Sequence, residues 1–378
     1  MERTLIVAAG PLDRTRCPVR AVVPDLAQNA CVRLSEASGR EVPVQVVPGG
    51  VAWLLDSLPA GEVRRYRLVE EECAPSPTIE LRDRPGEALD FSVGGAHFTT
   101  YNYASRWARP FFHPVIVDGR QVTRAWPMDE LPGETRDHPH HKGIWVAHGD
   151  VNGVDDWSEQ SGHGRIVHRE FTYVSAGPVV AEVHESLGWV SASGSPVLDE
   201  ARRLAVWNLP TSDRLLDVDV SLTALGQAVK FGDTKEAGLI SVRVATSMDG
   251  NKGGLIENGF GGRREAETWG KTAPWCHYSG QVGGPGRDEV MGIGVFDHPA
   301  NPRYPSNWHV RDYGLMTANP FGYHDFFPER GRDGSLTLPA GETMTFRYRV
   351  YLHRGDAAAG EVEARFADYA FPPAAGAE

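Results

Sequence analysis

The residues best suited to chemistry fall in one short stretch, RDHPHHKGIWVAHGD. It contains Asp137, His138, His140, His141 and His148. Pro139 and Gly143 disfavour a regular central strand, so we expect the first three histidines in a loop that leads into a strand. Imidazoles this dense are typical of proton transfer, metal coordination or recognition of sugar hydroxyls. The alternative is a set of capping and turn hydrogen bonds.

Neighbouring residues of an extended segment point to opposite sides, which predicts different roles for His140 and His141. We expect His140 to face a pocket as a catalytic group and His141 to be the structural member of the pair. His148 has the same parity as Ile144 and Val146, so in an unbroken strand it shares a face with two apolar residues. We therefore expect it inside the pocket wall.

A metal site needs about three convergent ligands. His140 and His148, with a distant carboxylate, are the candidates, but the chain has no HExxH spacing. The sequence thus requires no cofactor, and a divalent metal is the alternative.

A carboxylate stands at the mouth of another predicted strand, in GDTKEAGLI. Glu236 at such a strand end, facing a pocket, is a natural general base. The alternative is an exposed Lys235–Glu236 pair at a turn.

Two further regions carry aromatic and polar groups, KTAPWCHYSG and a proline-rich stretch over residues 296–326. Aromatic rings stack on the apolar face of a pyranose while polar neighbours bind its hydroxyls, so Trp275, Trp308 and Phe321 are the predicted stacking walls. We expect all four regions to converge on one concave face. The predicted substrate contacts are His113, His148, Asp150, Lys235, Trp275, Tyr278, His298, Asn301, Trp308, Arg311, Asn319, Phe321 and His324.

The elements that would position these groups are strands. In LLDVDVSLTA and TFRYRVYLH apolar and polar residues alternate, which indicates half-buried antiparallel strands with one wet face. Heavy use of glycine and proline, 42 and 27 residues, fits many short strands joined by turns. One helix is predicted near the C-terminus, with Asp356 as its cap and Val362, Phe366 and Ala370 on its apolar side. A small β module at residues 1–76 and a main sandwich at 77–378 are expected.

Charge and cysteine usage restrict the partners. The formal net charge of −12 disfavours nucleic acid and anionic membranes, and no apolar run is long enough to span a bilayer. The four cysteines are too sparse for a disulfide framework, which predicts a cytoplasmic location.

On the motifs RPFFHP, DHPHHKGIW, HGDVNGVDDW, GDTKEAGL, FDHPANPRYPSNWHVRDYGL and NPFG, the chain resembles the bacterial PmoA-like family of unknown function. The family's name suggests a membrane methane oxygenase subunit, which the absence of a spanning segment argues against. The family is in turn similar to galactose-mutarotase-type supersandwiches, in which two histidines and a glutamate perform acid–base chemistry. The resemblance implies an antiparallel β-supersandwich and places His140 or His141 in the histidine role, with looser matches for His309 and Glu236.

These observations predict an enzyme that acts on a sugar or keto-sugar by elimination, epimerisation or glycoside cleavage. His140 or His141 would be the acid, and Glu236 or His309 the base. The alternatives are a metal-dependent hydrolase or lyase that uses the histidine cluster, and a non-catalytic carbohydrate-binding protein.

Overall fold

The structure is a computed structural model that describes residues 2–71, 78–284, 286–327, 329 and 331–378. In these ranges most regular structure is β-strand, paired almost entirely antiparallel, so the predicted all-β class is confirmed. The helices described are short: α1 (Arg264–Thr268), α2 (Tyr323–Phe326) and α3 (Val362–Ala370). None of them has the length and apolar character that a membrane span requires.

The first sheet combines N-terminal strands with a strand from the C-terminal end of the chain. Its strands are β1 (Glu2–Ala8), β2 (Arg14–Val22), β3 (Val32–Glu36), β4 (Glu41–Val42), β5 (Val44–Val47), β6 (Gly50–Leu58), β7 (Val63–Glu70) and β27 (Ala374–Ala377). They lie in the order β4-β3-β7-β1-β27-β2-β6-β5. The predicted boundary between residues 76 and 77 lies outside the described residues, so the division into two domains stays a prediction.

The second sheet carries most of the candidate chemistry. Its strands are β8 (Ile79–Arg84), β9 (Ala88–Val93), β10 (Ala96–Asn102), β11 (Phe111–Val117), β12 (Arg120–Gln121), β13 (Ile144–His148), β19 (Ala237–Arg243), β23 (Asn307–Arg311) and β24 (Leu315–Asn319). They lie in the order β23-β24-β19-β13-β11-β10-β9-β8, and β12 pairs with β11.

The third sheet packs against the second. Its strands are β14 (Arg165–Ser175), β15 (Val180–Val190), β16 (Pro196–Trp207), β17 (Arg214–Ala224), β20 (Leu255–Asn258), β21 (Trp275–Val282), β22 (Glu289–Asp297) and β26 (Thr343–Arg354). They lie in the order β14-β15-β16-β17-β26-β22-β21-β20, while β18 (Val229–Phe231) and β25 (Leu336–Leu338) pair separately.

The main core lies between the second and third sheets. Alternate residues of β17, such as Val218 and Val220, enter it together with Phe346 and Tyr348 of β26. This confirms the period-two pattern of the two segments.

The opposite face of the third sheet was expected to be exposed to solvent, but its centre is buried. Asp217 and Arg349 are only 5% and 6% exposed, because β2 of the first sheet and helix α3 lie over them. Their burial is tolerated because the two charges form a bidentate pair, with Arg349 nitrogens 2.6 and 2.9 Å from the Asp217 oxygens.

The predicted C-terminal helix is confirmed as α3, and Val362, Phe366 and Ala370 are buried. The predicted cap is wrong, since Glu361 occupies the N-cap position. Asp356 instead closes the preceding turn, where its Oδ1 accepts a hydrogen bond from the Ala359 amide at 2.9 Å.

Candidate functional site

One register row crosses four strands of the second sheet. Trp145 pairs with Ser241, Ser241 with Thr317, and Thr317 with His309. Directly opposed residues project to the same face of a sheet. Trp145 packs with Phe111 in a cluster separate from the main core, so this row marks the face turned away from the third sheet. We call it the outer face.

The loop that precedes β13 lies over this face and is fixed by two buried arginines. Arg124, fully buried, donates to the backbone carbonyls of Asp137 and His138 at 2.7 and 2.8 Å. Arg109 donates to the carbonyls of His140 and Trp157 at 2.8 and 2.9 Å. The loop is therefore held in one conformation through its backbone, which leaves its side chains available.

Within the loop, Asp137 and His138 form a hydrogen-bonded pair. His138 Nδ1 lies 2.8 Å from Asp137 Oδ2, while Asp137 Oδ1 accepts from Arg124 at 2.5 Å and from Arg243 at 2.8 Å. Burial raises the pKa of Asp137, but the Arg243 charge, the His138 hydrogen bond and the Arg124 charge outweigh it and lower the pKa overall. An ionised carboxylate can only accept, so Nδ1 carries a proton, and in the neutral form of the ring the lone pair is on Nε2.

The imidazole of His138 is also fixed by stacking. Its ring lies 4.8 Å from that of His141 and 4.7 Å from that of Tyr313, with interplanar angles of 6° and 12°. His138 Nε2 makes no hydrogen bond to any residue that the structure describes. The side chain is 39% exposed, so the free nitrogen belongs to a ring that solvent or a ligand can reach.

His309, at the far end of the register row, is held in one tautomer. Trp269 Nε1 lies 3.0 Å from His309 Nδ1. Because an indole N–H can only donate, Nδ1 accepts and the proton of the neutral ring is on Nε2. Burial, followed by the Arg311 charge, lowers the pKa of His309 to about 3. The ring is thus a neutral hydrogen-bond donor.

Glu236 is half-buried at the start of β19. Burial raises the pKa of its carboxyl group, and the Lys235 and His138 charges offset this only in part. The side chain makes no hydrogen bond within the described ranges. Asn319 fixes the segment, since its Nδ2 donates to the Thr234 and Lys235 carbonyls at 3.0 Å. We refer to Asp137, His138, Glu236 and His309 together as the histidine site.

Three buried polar atoms near this site have no hydrogen-bond partner among the described residues: His141 Nε2, Trp145 Nε1 and Trp157 Nε1. An unsatisfied buried polar group costs about 1–3 kcal/mol. Because these atoms and the Trp145 and Trp157 rings are buried, they form the floor beneath the loop, and a ligand on the outer face does not contact them.

Several other predicted residues lie close to the histidine site. His140 is half-buried beside the His141 and Trp157 rings, and burial followed by the Arg109 charge lowers its pKa to about 4. His141 is 1% exposed and stacks on Trp145 at 5.3 Å. Lys235 is 41% exposed, 4.0 Å from Asp325.

Two of the predicted contacts have structural partners instead. Arg311 pairs with Glu265 at 3.0 Å and so anchors its loop. His113 Nε2 lies 3.0 Å from Asp129.

The predicted stacking walls do not line the outer face. Trp308 and Phe321 are fully buried in the main core, and Trp275 packs with Phe296 and Phe366 in a cluster beneath α3. They were expected at the pocket because they stand near histidines in sequence, but strand alternation turns their side chains inward. The partly exposed aromatic rings beside the histidine site are Tyr313 and Trp269, while Trp145 and Trp157 are buried beneath it.

His148 shares a face with Ile144 and Val146, as its parity predicts, but that face is the main core. It is fully buried, its Nδ1 accepts from the Asp150 amide at 3.0 Å, and its ring packs on Phe231 and Phe321. His148 therefore lies on the other side of the sheet from the loop histidines.

The remaining predicted contacts make structural interactions or lie elsewhere. Tyr278 is in the main core, although its Oη reaches the Arg311 carbonyl at 3.1 Å. Asp150 closes a turn by accepting from Gly153, and Asn301 bonds the backbone of Arg347. His324 is exposed on α2, and His298 borders a separate cavity beneath α3.

The residues present do not fit the suggested metal site. His140 and His148 lie on opposite faces of the second sheet, so one ion could not contact both of them. The described residues contain no group of three or more His, Cys, Asp or Glu side chains arranged to hold a metal.

Sequence reasoning missed the pairing of Asp137 with His138, the clamp by Arg124 and Arg243, and the Trp269–His309 contact. The adjacency of an acid and a histidine before Pro139 was a usable signal for the first. The other contacts join residues distant in sequence and carry no local pattern.

Most of the chain matches a protein family to which no function has been assigned. Residues 88–367 match this family of unknown function, DUF6807. No protein of curated function matches the chain significantly.

Solved structures similar to the chain include an alpha-mannosidase and a glycosyl hydrolase family 38 protein, both from Enterococcus faecalis. Their identities are 8% and 9% and their TM-scores 0.45 and 0.44; the whole chain is covered, and it spans 46% and 47% of those proteins. A galactose 1-epimerase from Lactobacillus acidophilus is similar over 75% of this chain and all of its own, at 11% identity and a TM-score of 0.33.

Proposed function

The chain belongs to the DUF6807 family of unknown function, and we propose that it is an enzyme that acts on a sugar or keto-sugar derivative by acid–base chemistry at the histidine site. The observation that carries the proposal is the Asp137–His138 pair, in which Nδ1 is bound to an arginine-clamped carboxylate and Nε2 is unbonded. An imidazole held in this way is a general base whose protonated form the carboxylate stabilises.

His138 is therefore the proposed base, in place of the residues expected from the sequence. Its Nε2 takes a proton from the carbon next to a carbonyl group, where the acidity of the C–H bond is raised. The Asp137 carboxylate then faces an imidazolium and not a neutral ring, which favours the proton transfer electrostatically.

Glu236 is the proposed acid. Because burial raises its pKa, its carboxyl group keeps a proton to higher pH than an exposed glutamate does. In a β-elimination it gives this proton to the departing oxygen, so that one proton leaves carbon for His138 and another reaches the leaving group from Glu236. In an epimerisation Glu236 gives its own proton to the opposite face of the same carbon, while His138 keeps the proton that it removed.

His309 is the proposed donor to the substrate oxygen on which negative charge develops. Its Nε2–H is fixed by the Trp269 bond, and its low pKa keeps it neutral through the physiological range. A neutral imidazole can donate a hydrogen bond without itself losing a charge. The partly exposed rings of Tyr313 and Trp269, which stand beside His138 and His309, supply the surface on which a sugar ring can stack.

The PmoA-like label and a cytoplasmic location remain predictions. Cys31 is disulfide-bonded, which is unusual in a reducing compartment and weighs against a cytoplasmic location.

The test is a proton NMR screen of the purified protein, without an affinity tag, against native and 3-keto sugars. The proposal predicts new product resonances with at least one keto-sugar and none in the presence of a His138→Gln variant. Saturation transfer to a sugar without any turnover would instead indicate a binding protein. Turnover that disappears on chelation and returns with a divalent ion would indicate the metal-dependent alternative.

A further inference from the structure

A cavity of about 370 Å³ lies between the first sheet, the third sheet and helix α3, separate from the histidine site. Its floor is the face of β16, β17 and β26 that the first sheet covers, and its other walls come from β2 and the end of α3. This volume falls in the range of small-molecule sites. The lining is unusually rich in charge for an enclosed space.

The floor carries a row of alternating charges. Arg203 is directly opposite Asp219, and Asp219 is directly opposite Arg347. In the next row Asp217 is opposite Arg349. Side chains from three strands therefore present their charged ends to the same cavity.

Each carboxylate of the cavity is paired with an arginine. Asp217 accepts two bonds from Arg349 and one from Trp207 Nε1 at 2.9 Å. Asp368 accepts from Arg14 at 3.0 Å, and Asp219 accepts from Arg203 at 3.1 Å. The negative charges of the cavity are therefore balanced by cations of the protein.

Donors, in contrast, are left over. The guanidinium group of Arg347 makes no ion pair or hydrogen bond to a residue in the described ranges, although it acts electrostatically on Asp219; its hydrogen bonds to Asn301 are made by its backbone. His298 Nδ1 accepts from the Ala300 amide at 3.1 Å, so the neutral ring carries its proton on Nε2. Arg347 and Arg349 both act electrostatically on His298, which places these donors near one another.

We propose that this cavity is a second small-molecule site, which binds an oxyanion, a carboxylate or phosphoryl group, on Arg347 and His298. Arginine presents a planar fork that matches both groups, and partial enclosure strengthens charge-assisted hydrogen bonds. The volume of the cavity leaves room for an organic body attached to the anion. A sugar acid and a sugar phosphate are the two sources that share this chemistry.

The test is calorimetric titration of the full chain with inorganic phosphate and, separately, with sodium gluconate, at matched ionic strength. Saturable one-site binding of at least one anion is expected, and the anion that binds more tightly identifies the source. Arg347→Gln should weaken binding about tenfold or more, because a charge-assisted hydrogen bond is lost. His298→Gln should also weaken it, which keeps the test valid if one variant folds poorly.

The matched control is Arg287→Gln, a change of the same kind at a side chain that is 88% exposed and outside the cavity. Its affinity should equal that of the wild type. Absence of saturable binding of both anions, or equal affinity in Arg347→Gln, His298→Gln and the control, would overturn the proposal. Because the readout is binding, it does not depend on turnover at the histidine site.

Discussion

Nδ1 of His138 lies 2.8 Å from Oδ2 of Asp137, and the other oxygen of that carboxylate is held by the fully buried guanidiniums of Arg124 and Arg243. One carboxylate therefore balances two buried cations and orients one imidazole. The arrangement links the proposed chemistry to the stability of the loop. A substitution of Asp137 should therefore affect both.

Asp137→Asn should both lower stability and alter the pH profile of any activity. The buried arginines lose their counter-charge, which should lower the free energy of unfolding by about 3 kcal/mol. This value is near the lower end of the range for a buried ion pair, because Asp137 is partly exposed. His138 also loses the partner that fixes its tautomer. Denaturant unfolding and the pH dependence of kcat provide the two measurements.

The matched control for that variant is Asp129→Asn. Asp129 also binds a histidine, His113, but its side chain is 61% exposed. An exposed pair contributes about 0–1 kcal/mol, so this variant should stay close to the wild type. Equal destabilisation by Asp137→Asn and Asp129→Asn would contradict the stabilising role of the Asp137 contacts with Arg124 and Arg243.

Trp269→Phe should release the tautomer of His309 while leaving the ring in place. The Nδ1 atom loses its only donor among the described residues, so the ring can protonate at either nitrogen. The ¹⁵N chemical shifts of His309 should move towards a mixture of tautomers, and kcat should fall more than KM rises. Unchanged ¹⁵N shifts would show that the indole does not determine the tautomer.

Glu236→Gln should remove the acid from the reaction. In the wild type, activity should fall on the alkaline side as the carboxyl group, whose pKa burial raises, loses its proton. The variant should be slower, by about 10²-fold or more, and should lack that alkaline limb. Glu80→Gln, at an exposed position on β8, is the control and should retain the wild-type profile.

Stability should fall as the solution is acidified below about pH 6.5. Burial lowers the folded-state pKa of His148 from 6.5 to about 3, so at neutral pH the ring is uncharged in both states. As the pH falls from 6.5 towards 3, His148 binds a proton in the unfolded chain but not in the folded chain. The free energy of unfolding therefore decreases.

Carboxylates also titrate towards the acid end of that range. The His148→Leu variant is therefore needed to isolate the contribution of His148. The variant loses one proton-uptake site of the unfolded chain, so its free energy of unfolding should vary less steeply between pH 6.5 and 5 than that of the wild type. Equal slopes would contradict the assignment of a neutral, buried His148.

Much of the fold was readable from local pattern. Period-two alternation located β17 and β26 and assigned Val218 and Tyr348 to the core, because side chains of a strand alternate between faces. Alternation does not indicate which other elements of the fold cover the polar face of a sheet. Asp217 and Arg349 looked solvated, yet the first sheet and α3 bury them.

The same limit explains the site. The sequence drew attention to the loop histidines through their residue type, and their catalytic role stays a prediction. The stacking residues were chosen from segments rich in aromatic and polar groups. Alternation does place Trp145 on the outer face, since Ile144 and Val146 face the core, but the ring is buried beneath His141. The contacts of Trp269 and Arg243 depend on strand order, which no local pattern contains.

The central claim is that His138 removes a proton from carbon, and hydrogen–deuterium exchange tests it most directly. A 3-keto sugar is incubated in D₂O with the wild type, with His138→Gln, and with His184→Gln, whose histidine is similarly exposed (33%) and also bound to a carboxylate. We predict deuterium at the carbon next to the carbonyl, above the buffer rate, with the wild type and His184→Gln only. Equal exchange with folded His138→Gln, or buffer-rate exchange with the wild type despite sugar binding, would contradict the account.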